Sequence, residues 1–230
     1  MRKMWCIPPA QSAEFVAKME DVLEVYLRPY DPKRPVVCMD EQPFQLLAET
    51  RELIPMSEQN HTVKADHEYE RRGACCVFMA TEPLGGYRHT EVRGTRTKKD
   101  WADFVAALLD GPYADAEKVV LVMDNLNTHG ISSFYERFPP GAARRYAERL
   151  EIHFTPKHGS WLDIAEIELA ALTAQCFRNR RIGSIEELAK ETSAWESSRN
   201  EKQKGVDWQF TTSEARTRLK HLYPIIEIGE

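Results

Sequence analysis

The spacing of apolar residues along the chain predicts its helices, and short continuous apolar runs predict its strands. In residues 12–26 apolar side chains recur at every third or fourth position, which predicts an amphipathic helix. Residues 28–35 contain three prolines and therefore predict a linker. The pattern divides the chain into a connector, residues 1–35, and a main domain, residues 36–230.

Short apolar runs in the main domain predict buried strands. These runs occupy residues 35–40, 74–80, 87–92, 118–124 and 151–155. Helical periodicity predicts helices at residues 99–109, 132–138, 142–150 and 161–180, from Ser184 onward, and at 213–222. The early strands are joined by short turns and the later ones alternate with helices. This order predicts an α/β domain with a mixed five-stranded sheet flanked by helices.

The net charge of the chain does not change the predicted fold, but it bears on the possible binding partners. The 230 residues carry a formal net charge of −5, whereas a dedicated DNA-binding module is usually basic. The balance leaves open an enzyme whose acidic centre lies among local basic patches. Such patches occur at residues 71–72, 93–99, 144–145, 178–181 and 216–220, although each of them is also compatible with an ordinary solvated face.

Cysteine usage and the absence of long apolar runs narrow the cellular setting. Five cysteines without a CxxC pair indicate neither a disulfide framework nor a zinc site. No apolar run approaches the ~18 residues of a membrane span, and the first residues lack the apolar core of a signal peptide. We therefore expect a cytoplasmic protein that does not enter a membrane.

Two of the predicted strands end in an aspartate. Asp40 and Asp124 each follow an apolar run, and ligand sites form at the carboxyl ends of strands in open α/β sheets. If the two strands are neighbours, both carboxylates emerge at one edge and repel each other. A hard divalent cation relieves this repulsion. Either aspartate alone could instead start a turn.

A third acid is predicted on the helix that begins near Trp161. With about 100° of rotation per residue, Glu166 falls on the same arc as the apolar residues of that helix. Glu168 and Asp163 fall about 100° to either side of the arc. An acid on a core-facing stripe needs a partner, which a shared metal ion or an arginine could supply. Three such acids suit two-metal phosphoryl transfer.

Three segments of the chain resemble the catalytic blocks of DDE transposases. They are VVCMDE at 36–41, LVMDNLNTH at 121–129 and FTPKHGSWLDIAE at 154–166. Weaker similarities occur at residues 5–9, 69–73 and 206–212. The chain most resembles the bacterial insertion-sequence branch of the mariner-like superfamily.

The resemblance implies an RNase H-like fold, with Asp40, Asp124 and Glu166 as catalytic acids and ligands of Mg²⁺ or Mn²⁺. It also implies cleavage of double-stranded DNA at transposon ends, followed by attack of the freed 3′-hydroxyl on a target, usually at TA. A homodimer that acts at the bacterial nucleoid is expected.

The chain departs from the family pattern in three respects. The gap from Asp124 to Glu166 is longer than in the best-known mariner relatives, and we expect an insertion near residues 138–149 to account for it. Asp163 stands where the family usually has asparagine, and this adds a negative charge near the acids. Family members also carry helix-turn-helix regions ahead of the catalytic domain, for which there is no room before Asp40. We therefore expect a fragment, a second reading frame or a decayed copy.

Several residues near the acids are secondary candidates. Glu41 follows Asp40 and should point to the opposite face of its strand. Asn125 and His129 could orient a water, contact DNA or stabilise their loop. Lys157 and His158 could contact phosphate near the start of the third-acid helix.

Two competing functions remain open on the sequence. A catalytically silent chain that only binds DNA, or that dimerises with a full-length partner, is compatible with the missing upstream region. A structure-specific nuclease on the same fold is compatible with the three acids, although the transposase-like blocks beyond them disfavour it.

Overall fold

A computed structural model describes residues 11–52, 54, 56, 61, 64, 66–124, 129–178 and 180–225. Its strands are β1 (Val36–Glu49), β2 (Tyr69–Glu82), β3 (Tyr87–Arg93), β4 (Val119–Met123) and β5 (Leu150–Phe154). Its α-helices are α1 (Ala13–Tyr26), α2 (Lys98–Asp110), α3 (Ile131–Arg137), α4 (Pro140–Glu148), α5 (Ile164–Leu172), α6 (Ile185–Lys202) and α7 (Thr212–Arg218). None of the helices in these ranges is long and apolar enough to cross a membrane.

The five strands form one sheet in the order β3-β2-β1-β4-β5. β1, β2 and β3 pair antiparallel, whereas β1–β4 and β4–β5 are parallel. The predicted mixed five-stranded sheet is confirmed. The first strand is longer than the predicted 35–40, because antiparallel pairing with β2 continues from Cys38 to Glu49 through an irregularity after Gln45.

Each face of the sheet is covered by its own core. On one face, Cys38, Val120 and Val122 pack with α1 and α5. On the other face, Val37 and Met39 pack with α2, α3 and α4. Because successive side chains on a strand alternate between faces, the central strands bury both sides. This explains why their sequences read as continuous apolar runs.

The first helix belongs to one of these cores. Ser12 caps α1 by accepting a hydrogen bond from the Phe15 backbone nitrogen at 3.1 Å, and the helix matches the prediction for residues 12–26. Its apolar stripe is buried against β5, α7 and the 3₁₀ turn at Ser160–Leu162. The hydroxyl of Tyr26 donates to the carbonyl oxygen of Leu162 at 2.6 Å. The domain boundary at residue 35 stays a prediction, but α1 packs as a core element.

The single helix predicted over residues 161–180 is wrong. The chain instead forms a 3₁₀ turn at Ser160–Leu162, then α5, and then a π-helical turn at Thr173–Phe177. Asp163 separates the first two with an extended backbone, φ −91° and ψ 107°, and caps α5. These segments have different numbers of residues per turn, so one 100° periodicity cannot describe them all.

Candidate active site

The register of the two central strands brings the two aspartates together. Met39 of β1 pairs with Met123 of β4 in the parallel ladder, and Asp40 and Asp124 are the next residues on the two strands. Both strands point the same way, so the two carboxylates leave the sheet at one edge. The predicted proximity of Asp40 and Asp124 is therefore present in the structure.

Glu166 faces the same cleft. The cleft has a volume of about 690 Å³ and is lined by Asp40, Asp124, Glu166, Asp163, Glu14, Lys18, Thr155, Pro156, Lys157, His158, Gly159 and Ser160. Glu166 lies in the first turn of α5, which packs on the face of the sheet that carries Cys38 and Val120. The three predicted acids thus come from β1, from the end of β4 and from α5 to one opening.

The shared cleft also affects the electrostatics of Asp40. Burial raises the pKa of Asp40 to about 7, and the negative charges of Asp124 and Glu166 add to this rise. The backbone N–H of Glu41 donates to Asp40 Oδ1 at 2.8 Å, and Arg96 lies near enough to oppose the shift. A cation in the cleft would favour the ionised form of Asp40.

A fourth carboxylate lies beneath the cleft. Asp163 is only 2% exposed, and its Oδ1 accepts from the Ala165 backbone nitrogen at 2.8 Å. Its Oδ2 is buried and has no hydrogen-bond partner among the described residues. Burial raises the pKa of Asp163 well above its usual range, with Asp40 contributing. Asp163 therefore caps α5 with one oxygen and leaves its other oxygen unsatisfied beside the acids.

The donor set fits a pair of hard divalent cations in its chemistry. Three carboxylates at one cleft and an unsatisfied carboxylate oxygen beneath them are the oxygen ligands that Mg²⁺ and Mn²⁺ take. Within the described ranges, no three His, Cys, Asp or Glu side chains converge on one ion position. A site that divides its carboxylates between two ions does not require such convergence.

Glu41 and His129 form a buried neutral pair on the other face of β1. Their closest atoms, His129 Nδ1 and Glu41 Oε1, are 3.5 Å apart. Burial raises the pKa of Glu41 to about 8 and lowers the pKa of His129 to about 4, so neither is charged at neutral pH. The indole of Trp101 stacks on the imidazole at 6.0 Å. Glu41 lies on the opposite face from Asp40, as predicted, and His129 packs there as well.

The other predicted site residues lie either at the rim of the cleft or outside the described residues. Lys157 and His158 are exposed at the rim of the cleft, in the loop before the 3₁₀ turn. Asn125 lies outside the described residues.

The face of α5 that is buried was predicted wrongly. Glu166 is exposed to the cleft, whereas Glu168 is 3% exposed. Glu168 accepts hydrogen bonds from Arg88 of β3 at 2.9 Å and from Arg199 of α6 at 2.9 and 3.0 Å. Burial raises the pKa of Glu168, but the two guanidinium groups outweigh it and hold the pKa below its ordinary value. Glu166 remains the third-acid candidate because it lines the cleft.

Sequence reasoning missed three charged residues around the site. Glu14 and Lys18 come from α1 and line the cleft. Their i,i+4 spacing reads as an ordinary solvated helix face, so the sequence gives no signal for them. Arg96 lies in a predicted basic patch, but only the structure places it near Asp40 and Glu41.

The sequence that carries these acids matches the model of a known protein family. Residues 35–189, which include all three candidate acids, match the model described as "DDE superfamily endonuclease". The chain is a member of this DDE endonuclease family. No curated protein sequence matches the chain.

Solved transposase structures share the fold of this DDE endonuclease domain. A Mos1 mariner paired-end complex with Mn matches at TM-score 0.54 and 16% identity, covering 89% of this chain and 61% of its own. A Mos1 strand transfer complex matches at 0.55 and 14%, covering 86% and 59%. A Mos1 paired-end complex with the left transposon end matches at 0.57 and 14%, covering 97% and 67%. The RNase H-like fold is thereby confirmed. The chain spans about three fifths of the first of these structures.

The buried arginine–glutamate contact predicts a large loss of stability in the DDE endonuclease when Glu168 is changed. Glu168→Gln removes the charge that compensates Arg88, whose side chain is 1% exposed. Breaking one partner of a buried pair costs about 3–5 kcal/mol. We expect the free energy of unfolding in urea to fall by about 3 kcal/mol. A change below about 0.5 kcal/mol would contradict the structural role of Glu168.

The raised pKa values predict that the metal-free DDE endonuclease is less stable at higher pH. Asp40 and Glu41 titrate at about 7 and about 8 when folded but near 4 when unfolded, so between these values the folded state holds more protons. Stability then falls as pH rises. His89, whose pKa is raised to about 9 mainly by Glu196, acts in the same direction.

Urea unfolding in EDTA at pH 6 and pH 8 measures this effect. We expect a loss on the order of 1–3 kcal/mol between the two values. Asp40→Asn should reduce the loss, because the amide cannot titrate. Equal stability of the unaltered chain at pH 6 and pH 8 would contradict the raised pKa values.

Proposed function

We propose that this chain is the catalytic domain of a transposase that cleaves DNA and transfers the cut strand with the help of divalent metal ions. The observation that carries the proposal is the Met39–Met123 register, which delivers Asp40 and Asp124 to the cleft that Glu166 also lines. The family membership supports endonuclease chemistry. The solved structure of a strand transfer complex with the same fold supports the joining step.

Asp40, Asp124 and Glu166 would hold two Mg²⁺ or Mn²⁺ ions in this role. Bound ions of this kind activate an attacking oxygen and stabilise the leaving oxygen of a phosphodiester. The chain's carboxylates act as ligands rather than as bases, and Asp163 fixes the start of α5 so that Glu166 faces the cleft. The Mos1 paired-end complex with Mn supports this choice of ion.

The 3′-oxygen that leaves in the cleavage reaction is the attacking oxygen in the transfer reaction. In cleavage, a water oxygen bonds to phosphorus and the bond from phosphorus to the 3′-oxygen breaks, which leaves a 3′-hydroxyl and a 5′-phosphate. In transfer, the oxygen of that 3′-hydroxyl bonds to a phosphorus of target DNA, the bond from that phosphorus to the target's 3′-oxygen breaks, and the released target 3′-oxygen takes up a proton. We propose double-stranded transposon ends as the substrate, TA as the target, a homodimer as the active form and the bacterial nucleoid as its place of action. The Mos1 complex with a transposon end supports the choice of DNA.

A catalytically silent chain that only binds DNA, or that pairs with a full-length transposase, is the second candidate. The observation that favours it is the buried Asp163 in the third of the transposase-like blocks. Asp163 stands where the family usually has asparagine, and its buried carboxyl group leaves one oxygen unsatisfied beside the acids. This candidate predicts DNA binding without any cleavage in Mg²⁺ or Mn²⁺.

A strand-joining assay tests the proposed function. The purified chain is incubated with Mn²⁺, a supercoiled plasmid and a labelled duplex that ends in a free 3′-hydroxyl. We expect label on the plasmid, and none with EDTA or with Asp124→Asn. Nicked plasmid without joined label would indicate a nuclease, and neither product would support the silent candidate.

A further inference from the structure

The first helix forms one wall of the catalytic cleft. Lys18 and Glu14 of α1 line the 690 Å³ cleft together with Asp40, Asp124 and Glu166. A second pocket of about 190 Å³ lies between the start of α1 and the loop of Lys157 and His158, and Glu14, Lys18, Lys157 and His158 line both spaces. A groove therefore leads from the acids outward between α1 and this loop.

One lysine pairs with a carboxylate in this groove, and a second lysine from another element lines the same two spaces. Lys18 Nζ lies 2.8 Å from Glu14 Oε1, and the Lys18 side chain is 27% exposed while that of Glu14 is 78% exposed. Lys18 and, more weakly, Lys157 lower the pKa of Glu14. Each of these two cations thus acts on the same carboxylate, although one belongs to α1 and the other to the loop after β5.

The loop that carries Lys157 has a fixed shape. The Gly159 backbone N–H donates to the Pro156 carbonyl at 2.8 Å. A Cβ at Gly159 would lie 2.5 Å from Pro156 Cγ, so only glycine fits there. His158 adopts φ 65°, a left-handed conformation that is unfavourable for a residue other than glycine. Strained residues of this kind persist where the surrounding structure holds them, commonly at ligand sites.

A DNA phosphate is a suitable ligand for the lysines that line the groove. It carries one negative charge and accepts hydrogen bonds through its oxygens, as the Glu14 carboxylate does toward Lys18. Surface contacts to phosphates supply most of the affinity of DNA-binding proteins. In a chain of net charge −5, such contacts must come from local cations that lie beside the acidic site. The groove is continuous with that site.

We propose that Lys18 and Lys157 bind a backbone phosphate of the DNA strand that enters the catalytic cleft, and that Glu14 occupies this phosphate position in the absence of DNA. The inference rests on the proposed function, since it requires DNA in the cleft. It makes α1 a substrate-binding element as well as a core helix. Glu14 is displaced from Lys18 when DNA binds and therefore weakens binding.

Fluorescence anisotropy with a labelled duplex and Ca²⁺, without Mg²⁺ or Mn²⁺, tests the inference. Lys18→Gln is compared with Lys190→Gln, an exposed lysine on α6, and Glu14→Gln with Glu24→Gln, an exposed acid on the same helix. Each pair changes the net charge equally. Circular dichroism confirms that all variants keep the fold.

We expect Lys18→Gln to weaken binding about 3- to 10-fold at low salt and to reduce the slope of log affinity against log salt by about 0.9. Glu14→Gln should strengthen binding about 2- to 5-fold, while both control variants stay within about twofold of the unaltered chain. Equal effects within each pair would show a general charge effect and overturn the inference alone. No DNA binding by the unaltered chain would overturn the inference and the proposed function together.

Discussion

Asp124→Asn is expected to reduce DNA cleavage in Mn²⁺ by at least about 10³-fold while the fold is kept. The amide has the shape of the carboxylate but lacks its charge, so a cation loses one of its ligands at the end of β4. Metal ligation is worth several kcal/mol of transition-state stabilisation, and each 1.4 kcal/mol is tenfold in rate. Asp40→Asn should cause a loss of the same order, because Asp40 leaves the sheet beside Asp124.

Asp115→Asn is the matched control for Asp124→Asn. Asp115 is exposed and precedes the same strand at its other end, away from the cleft. Its replacement changes the net charge equally, so full activity in Asp115→Asn excludes a general effect of charge. Retained cleavage in Asp124→Asn, with both variants folded by circular dichroism, would contradict a ligand role for Asp124.

Glu166→Gln is expected to reduce cleavage by about 10²- to 10³-fold with little change in stability. Glu166 is exposed to the cleft, so the amide leaves no buried charge without a partner. The cleavage rate falls because the metal ions lose their third carboxylate ligand, which raises the activation barrier by several kcal/mol. The rate of plasmid nicking and the midpoint of urea unfolding, measured on the same preparation, separate these two effects.

Glu186→Gln provides the control for Glu166→Gln. Glu186 is an exposed acid in the first turn of α6, as Glu166 is in the first turn of α5, so both changes alter the helix N-terminus alike. We expect Glu186→Gln to keep full activity. If both variants lose activity equally, the third ligand is not Glu166, and the account of α5 is wrong.

The central part of the site was predictable because the physical signal is local. β1 and β4 are covered on both faces, so each reads as an apolar run, and the acid that ends each run stands out. Whether the two strands are neighbours is not local, but a mixed sheet in which strands alternate with helices favours it. The predicted pairing of Asp40 with Asp124 at one edge follows from these two facts.

The surroundings of α5 were not predictable in the same way. The helical arc that placed Glu166 toward the core assumed one uninterrupted helix, whereas Asp163 breaks the backbone before α5 and a π-helical turn follows it. Glu168 is buried because Arg88 and Arg199, which are distant in sequence, compensate its charge. The residues that neighbour Glu168 in the sequence therefore give no indication of either partner. Glu166 lines the cleft, and its role as the third ligand stays a prediction, but the structure contradicts the helical arc that selected it.

Plasmid nicking by the purified chain tests whether the cleft is a metal-dependent active site. Supercoiled DNA is incubated with the chain in Mg²⁺, in Mn²⁺ and in Mn²⁺ with excess EDTA, and nicked circles are quantified on a gel. We expect nicked product in Mn²⁺ or Mg²⁺ and none in EDTA. Nicking that persists in EDTA, or no nicking in either metal by a folded chain that binds DNA, would contradict a metal-dependent active site built from Asp40, Asp124 and Glu166.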